Sequence, residues 1–389
     1  MSYAVLRRII SLMLRGLVLA SAFWLAGCAK QERHQLIGEV GIRAPDEAIL
    51  ASHEVFIVTT RAHVNDLHEV FSGARAPTPF YAMTNVTVPT IHKVGYIERP
   101  SDSLANPAKY FTATGVARYG NSKMFSSALR SEIKARGGRV LVYIHGFNTQ
   151  FDDAVYRITQ ISQDANYKGV PVLFTWASAG KPFDYVYDTN SAMAARDALE
   201  DTLRLVVSSG ATRVDIVAHS LGNWLTMEAL RQLAMTNDRD LSGKLGNVVL
   251  AAPDIDVDVF KSQMRRYGKP SRPFIVLASN RDRVLDMSSW LAGSKPRLGD
   301  YLDTKDIADY GVVVVNMSDI KGNDGLNHSI FAENPTMVKL LGIDLNRDDA
   351  GRLGDGTVTS KVSSLATGSD GAIARAASVG MNASAGVPR

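Results

Sequence analysis

The sequence predicts an α/β fold, a mainly parallel β-sheet with helices on both faces. Two observations carry this. Short runs rich in β-branched and apolar residues recur at 55–59, 139–144, 170–175, 213–218, 247–251, 273–278 and 312–316. Between them lie stretches with helical spacing of apolar residues, notably 152–167, 191–207, 221–234 and 257–266. Strands that alternate with helices make βαβ crossovers, and such crossovers bury a parallel sheet from both sides.

The stretch from Arg61 to Ser122 is less regular. Pro77, Pro79, Pro89, Pro100 and Pro107 punctuate it, which predicts edge strands and long loops and not a separate domain. Residues 28–51 are polar with little periodicity and read as a tether to a domain over 52–343. The tail, 344–389, is rich in Gly, Ala, Ser and Thr and lacks aromatic residues. It has too little apolar surface to offset its ordering entropy, so it is expected to be disordered.

The chain has 389 residues, with 43 basic against 39 acidic side chains. The excess belongs to the N-terminus. Residues 1–27 hold Arg7, Arg8 and Arg15 and no acid, so without them 40 basic residues face 39 acidic ones. That near balance excludes a nucleic-acid partner as the reading of the charge. An Arg-bearing start, an apolar run from Gly16 to Ala26 and small residues after it form a signal-peptide layout. The run ends in Leu25-Ala26-Gly27-Cys28, which resembles a bacterial lipobox, with Cys28 lipidated as the mature first residue. Cys28 is the only cysteine, so no intramolecular disulfide can form. Ala29 in place of Asp resembles an outer-membrane sorting signal of Gram-negative lipoproteins. The competing reading is an uncleaved anchor helix with an incidental cysteine.

The chemistry concentrates at Ala218-His219-Ser220-Leu221-Gly222, where a strand runs directly into a helix. This is a nucleophile-elbow pattern with Ala218 in place of the first glycine. The turn demands small residues two before and two after the serine. It lifts the Ser220 hydroxyl above the sheet, and the helix N-terminus presents free N–H groups to a developing oxyanion. The bland alternative for Ser220 is a helix N-cap. A second signal, Ile144-His145-Gly146-Phe147-Asn148, sits after an earlier strand. There a backbone N–H, that of Phe147, would pair with that of Leu221 as an oxyanion hole. His145 reads as a histidine that braces this loop, and His219 as structural.

An activated serine needs a base oriented by an acid, and in this arrangement the chain order is serine, acid, histidine. Of eight histidines only His328 follows Ser220, which makes it the base. Asp282, in the turn Ser279-Asn280-Arg281-Asp282-Arg283, is the chosen acid, and Asp254 is its rival. Asp254 reads as a helix-capping acid, and Asp286 as a first-turn helix residue. The segment 176–187, with Trp176, Phe183, Tyr185 and Tyr187, is either a cap over the site or an aromatic-rich connection.

These motifs, together with Val55-Phe56-Ile57-Val58-Thr59-Thr60-Arg61, Phe174-Thr175-Trp176, Ala252-Pro253-Asp254 and Asn327-His328-Ser329, resemble a bacterial α/β-hydrolase family of unassigned function within the esterase/lipase superfamily. The resemblance covers about residues 50–343. It implies an eight-stranded α/β-hydrolase sheet and hydrolysis of an acyl ester, and supplies no substrate. The expected partners are a small-molecule or lipid acyl ester and, through the lipobox at Cys28, the membrane. No metal or organic cofactor is implied. Ala177 stands where the family carries proline after Thr-Trp, which puts acyl-chain preference in doubt. Amide, thioester or acyl-transfer chemistry would use the same parts. A non-catalytic envelope lipoprotein that keeps the fold as a binding scaffold is the rival from another class, and complete triad candidates argue against it.

Overall fold

Apolar residues in the central strands divide by parity between two cores, as a sheet covered on both faces requires. Phe56, Val140, Val142, Val172, Ile216, Leu250 and Val276 enter one core. Val55, Ile57, Leu141, Leu173, Val217, Val249 and Leu277 enter the other. The computed structural model describes residues 36, 42–66, 69–100, 105–303, 305–323 and 325–347. The signal segment, Cys28 and nearly all of the tail lie outside the described residues.

In chain order the elements are β1 (Ile49–His63), β2 (Phe71–Pro89), β3 (Thr112–Tyr119), α1 (Ser122–Ala135), β4 (Arg139–Ile144), α2 (Phe151–Asp164), β5 (Val170–Thr175), α3 (Tyr185–Ala194) and α4 (Arg196–Ser208). There follow β6 (Arg213–His219), α5 (Leu221–Met235), β7 (Leu245–Ala251), α6 (Val257–Tyr267), β8 (Phe274–Ala278), α7 (Arg283–Leu291), α8 (Lys305–Ala308), β9 (Val312–Asn316), α9 (Ile330–Glu333) and α10 (Pro335–Asn346). The strands form one sheet ordered β3-β2-β1-β5-β4-β6-β7-β8-β9. Only β2 runs against the rest, because it pairs antiparallel with both β1 and β3. Helices α1, α4, α5 and α6 pack on one face, and α2, α9 and α10 on the other.

Among the described residues the sheet therefore has nine strands, not eight. The strands expected at the sheet edge in the proline-punctuated stretch are β2 and β3, and β2 is longer than the prolines suggest. Pro77 and Pro79 sit inside the 19-residue β2. They fall in the register break between the pairs Thr59↔Phe80 and Arg61↔Arg75, where a missing N–H costs no ladder bond. The helical pattern expected over 191–207 divides at Ala195, which ends α3 and starts α4.

Both domain edges reach past their expected limits. β1 begins at Ile49, within the segment read as a tether, and Leu36 is fully buried. The Leu36 carbonyl accepts from Tyr156 Oη at 2.8 Å and from the Ala113 N–H at 3.0 Å. At the other end α10 continues to Asn346 and buries Leu345 completely. Among the described residues no helix is long and apolar enough to cross a membrane.

Candidate active site

At the end of β6 the chain turns into α5 through Ser220, which has φ 53° and ψ −125°. An L-residue adopts this strained region only when its surroundings impose it. Two close approaches do so here. A Cβ on Gly222 would press on the His145 carbonyl oxygen and lie 2.9 Å from the Ile144 carbonyl oxygen. A Cβ on Gly146 would lie 2.6 Å from the Ser220 Cβ. The β4 loop and the elbow thus pack backbone to backbone, which explains both glycines. The Ser220 side chain accepts no hydrogen bond from the first turn of α5, so it does not serve as an N-cap.

The two amides singled out in the sequence are available. Among the described residues neither the Phe147 nor the Leu221 N–H donates to a backbone or side-chain acceptor. Their neighbours are committed: the Asn148 N–H donates to Asp188 Oδ2 at 3.1 Å, the Thr149 N–H to Ser178 Oγ at 3.0 Å and the Asn223 N–H to the Ser220 carbonyl at 3.1 Å.

His328 lies in the loop between β9 and α9, nearly buried, with Nδ1 2.7 Å from Asp282 Oδ2. The other oxygen of Asp282 accepts from the Val284 and Leu285 N–H groups at 3.0 and 3.1 Å, which makes it the N-cap of α7. The elbow holds the histidine loop as well. His219 Nε2 donates to the His328 carbonyl at 3.1 Å, and its ring packs beside those of His328 and Phe331 at 4.7 and 5.0 Å. Burial, and then the neighbouring His328, hold the His219 pKa well below the usual range, so His219 is neutral and structural. The Ser220 hydroxyl makes no hydrogen bond with His328 among the described residues. Such links are often long before substrate arrives and tighten in the reactive complex.

His145 braces the loop, as its sequence context suggests. It stacks on Trp176 at 4.9 Å and is buried. Burial, aided by the charge of Arg61, lowers its pKa to about 3. Its Nε2 accepts the Trp176 N–H at 3.2 Å, which leaves Nδ1–H to donate to the Gly146 carbonyl at 2.9 Å.

Asp254 corrects an expectation. The residue that caps α6 is Asp256, which accepts from the Asp258 and Val259 N–H groups. Asp254 is instead buried among Ser288 Oγ at 2.5 Å, Tyr185 Oη at 2.9 Å and Arg297 Nε at 3.3 Å. Its carboxylate is occupied and does not meet His328. Asp286 lies in the first turn of α7, as expected. The segment 176–187 is neither a uniform cap nor a plain connection. Trp176 is fully buried, Tyr185 meets Phe147 edge-on at 5.3 Å, and Phe183 is 86% exposed. The sequence reading passed over Arg61 and Asp188, both buried beside the Phe147 loop. The available signal was a charge at the end of an apolar strand, in Thr59-Thr60-Arg61. Among the described residues no group of three or more His, Cys, Asp or Glu side chains could hold a metal ion.

A family described as alpha/beta hydrolase of unknown function (DUF900) matches residues 121–344, more than half of the chain. The chain belongs to this family. Its likeness to solved structures is distant. A lipase B from Aspergillus fumigatus is 14% identical over 60% of this chain and 59% of its own, with a TM-score of 0.38. An esterase from Pyrobaculum calidifontis is 12% identical over 76% and 85%, with a TM-score of 0.35. A thermostable carboxylesterase cloned from a metagenomic library is 12% identical over 78% and 90%, with a TM-score of 0.31. The hydrolase thus spans about three fifths of the length of the lipase. Likenesses this distant say nothing of its substrate. No curated protein matches the chain.

Proposed function

We propose that the hydrolase is a serine esterase in which Ser220 is the nucleophile, His328 the general base and Asp282 the acid that orients it. The observation that supports this most is the strained, non-capping Ser220, with the Phe147 and Leu221 N–H groups left without an acceptor among the described residues. The only histidine beyond it in the chain already sits hydrogen-bonded to an aspartate.

In the proposed mechanism Ser220 Oγ attacks the ester carbonyl while His328 Nε2 takes its proton. Asp282 holds Nδ1–H, fixes the tautomer and stabilises the imidazolium. The N–H groups of Phe147 and Leu221 receive the oxyanion at the positive end of α5. His328 then protonates the departing alkoxide, and water repeats the sequence on the acyl-enzyme. Phe183 and Val186, on either side of Tyr185 in the chain, are exposed, as are Met287, Trp290 and Leu291 of α7, whose Ser288 meets Tyr185 Oη. Such exposed apolar side chains suit an acyl chain.

The same proposal places the hydrolase on the outer membrane through a lipidated Cys28, since two or more acyl chains hold a protein stably on a bilayer. The test of the catalytic reading is covalent labelling with a fluorophosphonate, alongside hydrolysis of p-nitrophenyl esters of increasing chain length. Ser220→Ala is expected to abolish both while leaving folding intact. A folded Ser220→Ala protein that turns over esters at the parent rate overturns the mechanism. A parent that takes no label favours the scaffold reading.

A further inference from the structure

The loop that carries the Phe147 amide is gripped by two buried charges that the mechanism above does not use. Arg61, at the end of β1, is 1% exposed, and Asp188, in α3, is 0% exposed. Arg61 spends its whole fork on fixed acceptors. Nε donates to Thr175 Oγ1 at 2.8 Å, Nη1 to the Ser178 carbonyl at 2.9 Å, and Nη2 to the Thr149 carbonyl at 2.6 Å. Asp188 accepts from the Asn148 N–H at 3.1 Å, Ser178 Oγ at 2.5 Å and the Ala179 N–H at 2.7 Å. Ser178 joins the two charges, because its carbonyl faces Arg61 and its hydroxyl faces Asp188. That hydroxyl also accepts the Thr149 N–H.

Two peptide planes flank Phe147, and Asp188 reaches one of them directly, at the Asn148 N–H, while Arg61 reaches the other through Thr175 and His145. A peptide is planar, so fixing one end of it aims the other. The Phe147–Asn148 plane is held at its N–H by Asp188 and at its carbonyl by Thr149 Oγ1, 3.2 Å away. The Gly146–Phe147 plane, which bears the candidate oxyanion donor, is held at its carbonyl by His145 Nδ1–H. His145 Nε2 in turn meets Thr175 Oγ1 at 2.9 Å, the same hydroxyl that Arg61 Nε engages. A continuous chain thus runs from Arg61 through Thr175, His145 and Gly146 to the Phe147 N–H.

Resting on the esterase reading, we propose that Arg61 and Asp188 are positioning residues that hold the Phe147 amide where the oxyanion develops. Opposite charges buried close together seldom add net stability, because desolvation offsets their attraction. What these charges do supply is direction: Asp188 fixes the Asn148 N–H, Arg61 fixes the Thr149 carbonyl and Thr175 Oγ1, and their bonds to Ser178 and Ala179 tie the donor loop to the 176–187 segment. The Arg61 charge acts in the same sense, because it disfavours protonation of His145 and so preserves an Nε2 that can accept.

The experiment uses the mature chain from Cys28 onward, with Cys28→Ser for solubility, and counts active serines by fluorophosphonate labelling. Two variants are compared with the parent. Asp188→Asn removes the charge at similar shape. Ser178→Ala keeps both charges but deletes the bridge, and it decides the matter if Asp188→Asn does not fold. Readouts are kcat and KM on p-nitrophenyl butyrate per labelled serine, and the inhibition constant of an alkyl boronic acid, whose tetrahedral adduct places an oxygen where the oxyanion forms. Amide exchange over 145–149 is followed in parallel. Loss of one oxyanion donor costs about 10²–10³ in kcat, and a misplaced donor should cost about 10–100-fold. The expected result is that fall in kcat with KM within about twofold, a similar loss of boronate affinity and faster exchange over 145–149. Unchanged kcat per labelled serine overturns the inference but leaves the esterase reading. Fewer labelled serines with unchanged kcat assigns the pair to folding alone and overturns it too. A parent that takes no label overturns both.

Discussion

His328 Nδ1 lies 2.7 Å from Asp282 Oδ2, whereas the carboxylate of Asp254 is taken up by Ser288, Tyr185 and Arg297. Both acids follow strands and lie between Ser220 and His328 in the chain, so their order alone does not separate them. Asp282→Asn keeps the shape but favours the wrong histidine tautomer. Turnover should fall by about two to four orders of magnitude, about 3–5 kcal/mol at about 1.4 kcal/mol per tenfold. Asp254→Asn should keep turnover within about tenfold of the parent. Its cost should appear as a lowered melting temperature, since Arg297 is left as a buried charge without its partner. Steady-state kinetics and calorimetry on the two variants check this. The assignment fails if Asp254→Asn is the inactive one.

Gly222 occupies the first turn of α5, where alanine normally favours a helix over glycine by about 1 kcal/mol. Here the sign should reverse. The added methyl would meet the His145 and Ile144 carbonyl oxygens, which are backbone and cannot swing aside. Overpacking of this kind costs about 1–3 kcal/mol. Gly222→Ala should therefore lower the denaturation midpoint and displace the Phe147 loop, with turnover falling as well. Urea unfolding followed alongside ester hydrolysis measures both effects.

His92 predicts a pH dependence of stability separate from the active site. Its Nδ1 is 2.8 Å from Glu98 and its Nε2 is 2.8 Å from Asp164. Burial alone would lower its pKa, but the hydrogen bonds and charges of Asp164 and Glu98 outweigh burial and raise it to about 9 from 6.5. A raised folded pKa means that the contribution is complete below the unfolded value and is lost as pH climbs through the folded one. The melting temperature of the parent should thus decline between pH about 6.5 and about 9. His92→Gln should start lower at pH 6.5 and decline less across that window. Parallel slopes for the two proteins would remove His92 from the account.

Truncation at the end of α10 should hurt, contrary to what the composition of 344–389 suggests. Leu345 is fully buried, and Asn247 Nδ2 donates to Asp344 Oδ2 at 2.6 Å. The Arg347 carbonyl accepts from Arg139 Nη2 at 3.0 Å and from Arg213 Nη1 at 3.2 Å. Full burial of a leucine contributes about 1.5–3 kcal/mol. A chain ending at residue 343 should melt several degrees below one ending at Arg347, as differential scanning fluorimetry would show. Equal melting temperatures would show that these contacts do not matter to stability.

The proposed lipid anchor at Cys28 is tested by fractionation. Cys28→Ser should give a protein that is not lipidated and is released from membranes. Retention with the outer membrane as before would mean that another anchor exists.

Much of this protein could be read along the chain because the relevant physics is local. Alternation of apolar runs with helical spacing reports a covered parallel sheet, since a buried strand must be apolar on both sides. The small residues around Ser220 report a tight turn, since backbone sterics alone demand them. His328 followed from there being no other histidine after the serine. What tertiary structure decided are facts of distance between segments far apart in sequence. Pro77 and Pro79 lie within a strand because the register breaks there, which no local pattern encodes. Chain order does not separate Asp282 from Asp254, and local context favoured Asp282, but only their surroundings show His328 beside one and Arg297 beside the other. The roles of Arg61 and Asp188 were invisible for the same reason. A buried charge makes sense only through its partners, and here they come from β1, the β4 loop, β5 and α3, which meet only when the sheet is complete.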